Sequence, residues 1–520
     1  MRRRAEADAT GAAARQSPSA RAATVGIVAV HVVLSLAVFD PKPFVGGDNA
    51  GYMILAESIR SGDGYRDLYL PETPRHVRYP PVYPLILAAA GALGGRLATF
   101  KALSLALTAG TVGIFYALAR RSLGPWGGLG VGAALAVNPV LLEYSHWELS
   151  EAPFVFLTAL ALFLTDQWPG KGRAWVWGLT AALGAYFTRS AGLPLVAAIL
   201  IALGARRSWA PLGWGAGAFV LLATAWWSWG QSAPHQTTYG APFLLVNPYQ
   251  PELGTIGPAS FLQRVATNAR IYTTSILPES LAGVSNSGGA AMLAGLGVAG
   301  LALVGWARRV RQGRALEIFS AAYVVLLLAW PEVWSDKRFL LPLIPAILLH
   351  SAEGLRGIFP RAGGRERQWV LPSFGALIAV VALPGLARAI PANLDCLRSY
   401  RAGDRYACYP DAWREFFQAA AWARDSTPAN ATIVSRNPRL FYWVTHRRGD
   451  IYPFSQDPAQ VIGFLDRIGV DYVVVDRLSA TTDRYLVPAI RAYVKRFGLA
   501  YQVGASPTVV LTYMRPRGVP

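Results

Sequence analysis

Chemistry in this sequence is confined to a few charged side chains set among long apolar runs. Asp48 stands in Val45-Gly46-Gly47-Asp48-Asn49-Ala50-Gly51-Tyr52, just after the first apolar run and before a helical stretch over residues 50–60. A Gly-Gly-Asp-Asn turn can place its aspartate as the cap of that helix. A carboxylate held at a membrane surface beside a lipid-borne substrate can instead act as general base on an acceptor hydroxyl. Glu143, Glu148 and Glu151 cluster with His146 around Leu142-Glu143-Tyr144-Ser145-His146-Trp147-Glu148-Leu149-Ser150-Glu151. Glu151 opens an apolar run, where the helix dipole favours an anion. An acid at membrane depth is costly to keep, which makes it a functional candidate as well. The basic counterparts are Arg75, His76 and Arg78 ahead of Tyr79-Pro80-Pro81, and Lys337 with Arg338 in Ser335-Asp336-Lys337-Arg338-Phe339. Such groups can neutralise a lipid phosphate or anchor to headgroups by snorkelling.

The elements that must position these groups are membrane-spanning helices. Of 520 residues, 53% are hydrophobic and 15% charged, against about 25% charged in ordinary soluble domains. That excludes an ordinary cytosolic enzyme and a disordered chain. Residues 1–22 read as a disordered basic cytoplasmic tail with Arg2, Arg3, Arg4, Arg15 and Arg21. Apolar runs follow at residues 23–39, 98–119, 126–142, 151–167, 174–188, 190–204, 211–230, 288–307, 316–331, 339–351 and 369–386. This is roughly eleven spans, several shorter than the about 20 residues a crossing needs, so tilt must make up the difference. Residues 82–95 are apolar but short, and read as a membrane-dipping or interfacial element on the outer face. Three prolines around Tyr83 stiffen this return to the membrane.

The net charge of +19 could signal nucleic acid or arginine-rich cytoplasmic loops. Arg120 and Arg121, Lys171 and Arg173, Arg206 and Arg207, the group Arg308, Arg309, Arg311 and Arg314, and the group Arg356, Arg361, Arg365 and Arg367 all fall on one side. This positive-inside pattern puts the N-terminus in the cytoplasm and the C-terminus outside. No P-loop, dinucleotide fingerprint or zinc-type Cys/His cluster is present, so nucleic acid is not the partner. Residues 40–81 and 231–287 are then long outer loops. From about residue 391 charges return and apolar runs shorten. Strands are expected at 432–435, 472–476 and 509–513 and helices at 458–468 and 484–497, in a small extracytoplasmic α/β domain spanning 391–520. Cys396 and Cys408, the two cysteines of the chain, lie there twelve residues apart. In an oxidising compartment they read as a disulfide, two free thiols being the alternative.

Taken together, these residues resemble the polytopic GT-C glycosyltransferases, on the branch that uses polyprenyl-phosphate sugars: protein O-mannosyltransferases and aminoarabinose transferases. The likeness rests on Asp48 early in a long first outer loop and the return Tyr79-Pro80-Pro81-Val82-Tyr83-Pro84. It rests also on Ser150-Glu151-Ala152-Pro153-Phe154 opening a later span, and on Arg338-Phe339-Leu340-Leu341-Pro342-Leu343-Ile344-Pro345. It covers residues 23–390 and implies a GT-C-like transmembrane catalytic domain in the plasma membrane. The resemblance implies a monosaccharide moved from polyprenyl phosphate to a hydroxyl of a glycan, lipid or protein on the outer face, with inversion. It assigns Asp48 as general base, Glu151 as the second acidic position, and Arg338, Lys337 and Arg78 as candidates for the donor phosphate. Where the aminoarabinose branch has an acid and a lysine before its paired prolines, this chain has Arg78 and Tyr79. That departure weakens the case for a bound metal; a divalent metal would fall to His146 or His235, although a lone histidine is more often a hydrogen-bonded structural residue. The rival function is a transporter or flippase of lipid-linked sugars, which predicts buried charges along the spans and paired internal repeats.

Overall fold

Long runs of Ala, Leu, Val and Gly can satisfy their backbone in lipid only as helices, and helices dominate. The computed structural model describes residues 18–92, 94, 97–167, 172–231, 240–283, 289–358, 365–504 and 507–515. Most of the expected basic tail, Lys171, Arg361, His235 and parts of the 231–287 loop lie outside the described residues. The chain divides into two compact units, one of Met1–Asp40, Phe100–Thr224 and Phe261–Leu394, the other of Pro41–Thr99, Ala225–Ser260 and Asp395–Pro520.

The first unit is helical. Glu151–Gln167 and Ala174–Thr188 form helices with the bounds expected from their apolar runs. The helical run Leu97–Ala136 is broken at Gly124 (φ 83°, ψ −179°), ahead of Pro125, so two helices meet there as the runs at 98–119 and 126–142 imply. The second of them stops short, because Asn138 caps a separate helix, Pro139–Tyr144. The Asn138 side chain accepts from the Leu141 N–H at 3.0 Å, with Pro139 opening the turn. Among the described residues five helices are long and apolar enough to cross a membrane: Ala20–Ala37, Leu97–Ala136, Met292–Gln312, Lys337–Ile358 and Trp369–Arg401. Others of the expected runs coincide with shorter helices, such as Leu193–Ala205 and Ala315–Ala329. The chain is a multi-pass membrane protein. Helices Gly289–Arg309 and Ile344–Ile358 touch backbone to backbone: a β-carbon on Gly305 would overlap the His350 carbonyl oxygen, and one on Gly354 that of Leu301. Small residues permit this approach where lipid offers no hydrophobic drive to association.

The second unit holds helices Asp48–Ser61 and Val82–Ala92 and a four-stranded sheet. Val82–Ala92 has 11 residues, about 16 Å at 1.5 Å per residue, roughly half the hydrocarbon thickness. The strands are β1 (Ile433–Val434), β2 (Tyr472–Val475), β3 (Phe497–Val503) and β4 (Thr508–Tyr513), in the order β1-β2-β4-β3. β1 and β2 run parallel, and β4 is antiparallel to both its neighbours. Successive β2 residues face opposite ways. Val474 packs with Phe416 and Phe417 of helix Asp411–Ser426, while Val473 packs with Val461 and Leu465 of helix Pro458–Arg467. Helices therefore cover both faces. Ala50, Leu440 and Phe441 join the Phe416 side, which seats helix Asp48–Ser61 against the sheet. The helix expected over 484–497 forms as a π turn Thr482–Leu486, an α-helix Val487–Ala492 and a 3₁₀ turn Val494–Arg496, and β3 begins at Phe497 through pairing with β4. Helices Asp411–Ser426 and Pro438–Thr445, absent from the sequence reading, complete the layer. Cys396 and Cys408 are joined, with Cα atoms 5.5 Å apart.

Candidate active site

In the second unit the first turn of helix Asp48–Ser61 carries Asp48. The capping reading of this aspartate is corrected: Gly47, at φ 84°, occupies the cap position, and no side chain caps the helix. A left-handed backbone favours glycine there, and a β-carbon would also meet Asn437 Oδ1 at 2.8 Å. The Asp48 carboxylate is thereby turned to other partners. Its Oδ1 accepts a 2.7 Å hydrogen bond from the Tyr79 hydroxyl. That hydroxyl in turn accepts from the Arg439 guanidinium at 2.5 Å. Arg439 lies over the rings of Tyr69 and Tyr79, 5.3 and 5.1 Å from their centroids.

Tyr79 is itself held from several sides. It is 2% exposed, and its ring lies 4.7 Å from that of Tyr52. Its backbone N–H donates to His76 Nε2 at 2.7 Å, and its carbonyl accepts from the Tyr65 hydroxyl at 2.8 Å. His76 Nδ1 lies 2.9 Å from Asp67. Burial lowers the His76 pKa, against the pull of Asp67 upward. A neutral ring with its proton on Nδ1 satisfies both contacts, donating to Asp67 and accepting at Nε2. The carbonyl of His76 accepts from the Trp229 indole at 2.9 Å, and Arg75 stacks 5.1 Å from the Trp229 ring. Arg75 and His76 thus serve the loop's own architecture. Arg78 is half-buried between His76 and Tyr79 in the same loop.

In the first unit Glu151 opens helix Glu151–Gln167 and is 1% exposed. Its Oε1 lies 2.5 Å from Arg189 and 2.9 Å from Arg338. Arg189 also donates to Ser150 Oγ at 2.9 Å. Both guanidiniums approach the Phe339 ring, at 5.7 and 5.1 Å. Arg189 and Arg338 thus share one buried carboxylate. Lys337 differs: its ammonium lies 2.7 Å from Glu143 and 3.6 Å from Glu279, so its charge is already compensated. Glu148 pairs with the buried Lys101 at 2.8 Å, and Lys101 donates to the His146 carbonyl at 2.8 Å. The His146 ring packs beside Phe39 and Trp147. Among the described residues no group of three or more His, Cys, Asp or Glu comes together that could hold a metal ion, and His146 has an aromatic rather than a ligating neighbourhood.

Asp48 and Arg78 thus belong to one unit, and Glu151, Lys337 and Arg338 to the other. The sequence reading missed Arg439, Asp67 and Arg189. Arg189 was signalled by its position, a lone cation between two apolar runs. Arg439 carried no signal, since its link to Tyr79 spans 360 residues.

No protein-family model matches the chain, and no curated protein matches it. Solved structures do. The crystal structure of ArnT from Cupriavidus metallidurans bound to undecaprenyl phosphate is similar with a TM-score of 0.58 at 15% identity, over 94% of this chain and 97% of that one. Archaeal oligosaccharyltransferase AglB from Archaeoglobus fulgidus, in complex with an inhibitory peptide and a dolichol-phosphate, is similar with a TM-score of 0.56 at 14% identity, over 97% of this chain and 75% of that one. The chain therefore shares its fold with these two proteins.

Proposed function

We propose that this chain is a membrane glycosyltransferase that moves a monosaccharide from a polyprenyl-phosphate donor to an acceptor hydroxyl on the extracytoplasmic face. The observation that carries the reading is the Asp48–Tyr79–Arg439 relay. It holds a hydrogen-bond-accepting carboxylate at the start of a helix in the first outer loop. Support also comes from the fold shared with two structures solved with polyprenyl-type phosphates.

In this reading Asp48 takes the proton of the acceptor hydroxyl as its oxygen attacks the anomeric carbon. The bond from that carbon to the phosphate oxygen breaks, and the electron pair leaves with the polyprenyl phosphate. One displacement gives one inversion. Tyr79 and Arg439 are positioning residues that orient the carboxylate. The growing charge on the leaving phosphate calls for fixed positive groups. The Arg189–Arg338 pair is assigned this role ahead of Lys337, whose charge two carboxylates already meet, and Arg78 remains a candidate. Glu151 then acts through the arginines it holds. The acceptor is a glycan, a lipid or a protein, and the N-terminus faces the cytoplasm.

The test is a transfer assay in proteoliposomes with a panel of polyprenyl-phosphate sugars, comparing the wild type with Asp48→Asn. Sugar transfer by the wild type and its loss in the variant are expected. Movement of the lipid-linked sugar across the bilayer without transfer would establish a flippase instead, and a fully active Asp48→Asn would remove Asp48 from the chemistry.

A further inference from the structure

Arg338 reaches Glu151 from a segment that starts where helix Ala315–Ala329 ends, all within the first unit. Trp330-Pro331 stops that helix. The residue before a proline is driven out of the helical region, and proline itself has no N–H to offer. The last carbonyls of a helix lack partners within it. Here they are met from another helix, Pro258–Ile271, by Asn268, which is 0% exposed. Its amide nitrogen lies 3.3, 3.0 and 2.7 Å from the carbonyl oxygens of Leu327, Leu328 and Trp330. Two N–H groups are thus shared among three acceptors. Its amide oxygen accepts from Ser335 Oγ at 2.9 Å. One side chain therefore holds the turn over 330–335 at both ends.

The order runs on from that turn to the arginine. Asp336 caps the next turn and accepts from the Arg338 N–H at 2.8 Å. The Trp330 ring packs 5.9 Å from that of Phe339. Phe339 in turn meets both guanidiniums, Arg189 at 5.7 Å and Arg338 at 5.1 Å. The two residues that Asn268 grips, Trp330 and Ser335, are therefore the spatial neighbour of Phe339 and the sequence neighbour of Asp336-Lys337-Arg338.

We propose that Asn268 is a positioning residue for the donor phosphate, fixing the segment that carries Arg338 and Phe339 and so aiming the Arg189–Arg338 pair. This role rests on the assignment of that pair to the donor phosphate. Capping a helix end would need the amide nitrogen alone. The bond from Ser335 to the amide oxygen adds nothing to the helix and secures the far side of the turn. Position matters here because a guanidinium pairs with phosphate through a rigid fork of donors, so a displaced fork loses hydrogen bonds that its charge does not restore. The long 231–287 loop thereby contributes a residue to the donor side of the reaction.

The test is retention of undecaprenyl phosphate, read by native mass spectrometry of the full chain released from nanodiscs doped with that lipid. Wild type, Asn268→Ala, Arg338→Ala and the double variant are compared. Asn268→Ala is expected to weaken retention about fivefold, the equivalent of one ordinary hydrogen bond, and Arg338→Ala by more. The double variant is expected within about twofold of Arg338→Ala, since residues that act through one another are not additive. Unchanged retention in Asn268→Ala, or a full further fivefold loss in the double variant, would overturn the proposal, the second by assigning Asn268 a general structural role. Should Asn268→Ala fail to fold, Ser335→Ala removes the bond to the amide oxygen alone. A smaller loss, again absent in the Arg338→Ala background, is then expected, and unchanged retention overturns the proposal. Loss in Arg338→Ala with full retention in Asn268→Ala removes this inference alone. Full retention in Arg338→Ala removes the phosphate assignment on which it rests.

Discussion

The Tyr79 hydroxyl donates to Asp48 Oδ1 at 2.7 Å while accepting from Arg439, so one phenol joins a helix-terminal carboxylate to a permanently charged guanidinium. A hydrogen bond to an ionised group contributes about 1.5–3 kcal/mol. This one orients the carboxylate that the proposed reaction uses.

Removing the base and removing its orienter should differ in size. Asp48→Asn is expected to lower kcat by about 10²–10⁴-fold, the usual share of general base catalysis, with donor binding retained. Tyr79→Phe is expected to lower it by about 10–100-fold, the rate equivalent of the lost hydrogen bond. Steady-state transfer kinetics on both variants checks the ordering, and a larger loss in Tyr79→Phe would contradict it.

Glu151 holds two arginines, so Glu151→Gln should act through them. Breaking a buried pair by removing one partner costs about 3–5 kcal/mol. A lowered Tm and a raised KM for the donor are expected in Glu151→Gln. Arg338→Ala should raise that KM as well, whereas Lys337→Ala, already compensated by Glu143 and Glu279, should change it little. Donor titrations of the three variants decide the matter.

The contact between helices Gly289–Arg309 and Ile344–Ile358 leaves no room for a side chain at Gly305 or Gly354. Gly354→Val must push the helices apart, and overpacking of this kind costs about 1–3 kcal/mol or more. Thermal unfolding in detergent should show the loss, while Gly297→Ala, on helix Gly289–Arg309 and facing open space, should leave Tm near the wild-type value.

Asp476 follows β2 and is 1% exposed. Burial raises its carboxyl from 3.8 to about 6, partly offset by the backbone N–H groups of Leu478 and Arg436. The native state therefore holds this proton more tightly than the unfolded chain. Its contribution to stability is fully present below about pH 4 and is lost as pH rises to about 6. Asp476→Asn is expected to be more stable than the wild type above pH 6, by up to about 3 kcal/mol, and to lose the slope between those values. Parallel Tm measurements across pH 3.5–7.5, a range of about four units around the shift, would expose identical slopes if the assignment were wrong.

The Cys396–Cys408 bridge closes a short loop, with a sequence separation of 12. Constraint of so short a loop contributes about 2–3 kcal/mol. A double serine variant should unfold at a lower temperature, and the wild type under a strong reductant should behave like it.

Local information settled much of this protein. An uninterrupted apolar run can be only a helix in lipid, so helices Glu151–Gln167 and Ala174–Thr188 could be read to the residue. The parallel placement of the runs at Ile433–Val434 and Tyr472–Val475 required the whole chain, because strand partners are chosen by long-range packing. The same limit explains β3. Residues 484–496 form helical turns as their spacing implies, and pairing with β4 makes a strand from Phe497 onward. Asp48, Glu151 and Arg338 stood out as charges beside apolar runs, where their solvation cost makes them conspicuous. Their partners did not. Arg439 lies in a charged, soluble-looking segment where another arginine is unremarkable by composition. Only folding carries it to Tyr79, and only the left-handed turn at Gly47 turns Asp48 away from capping its helix and toward that phenol.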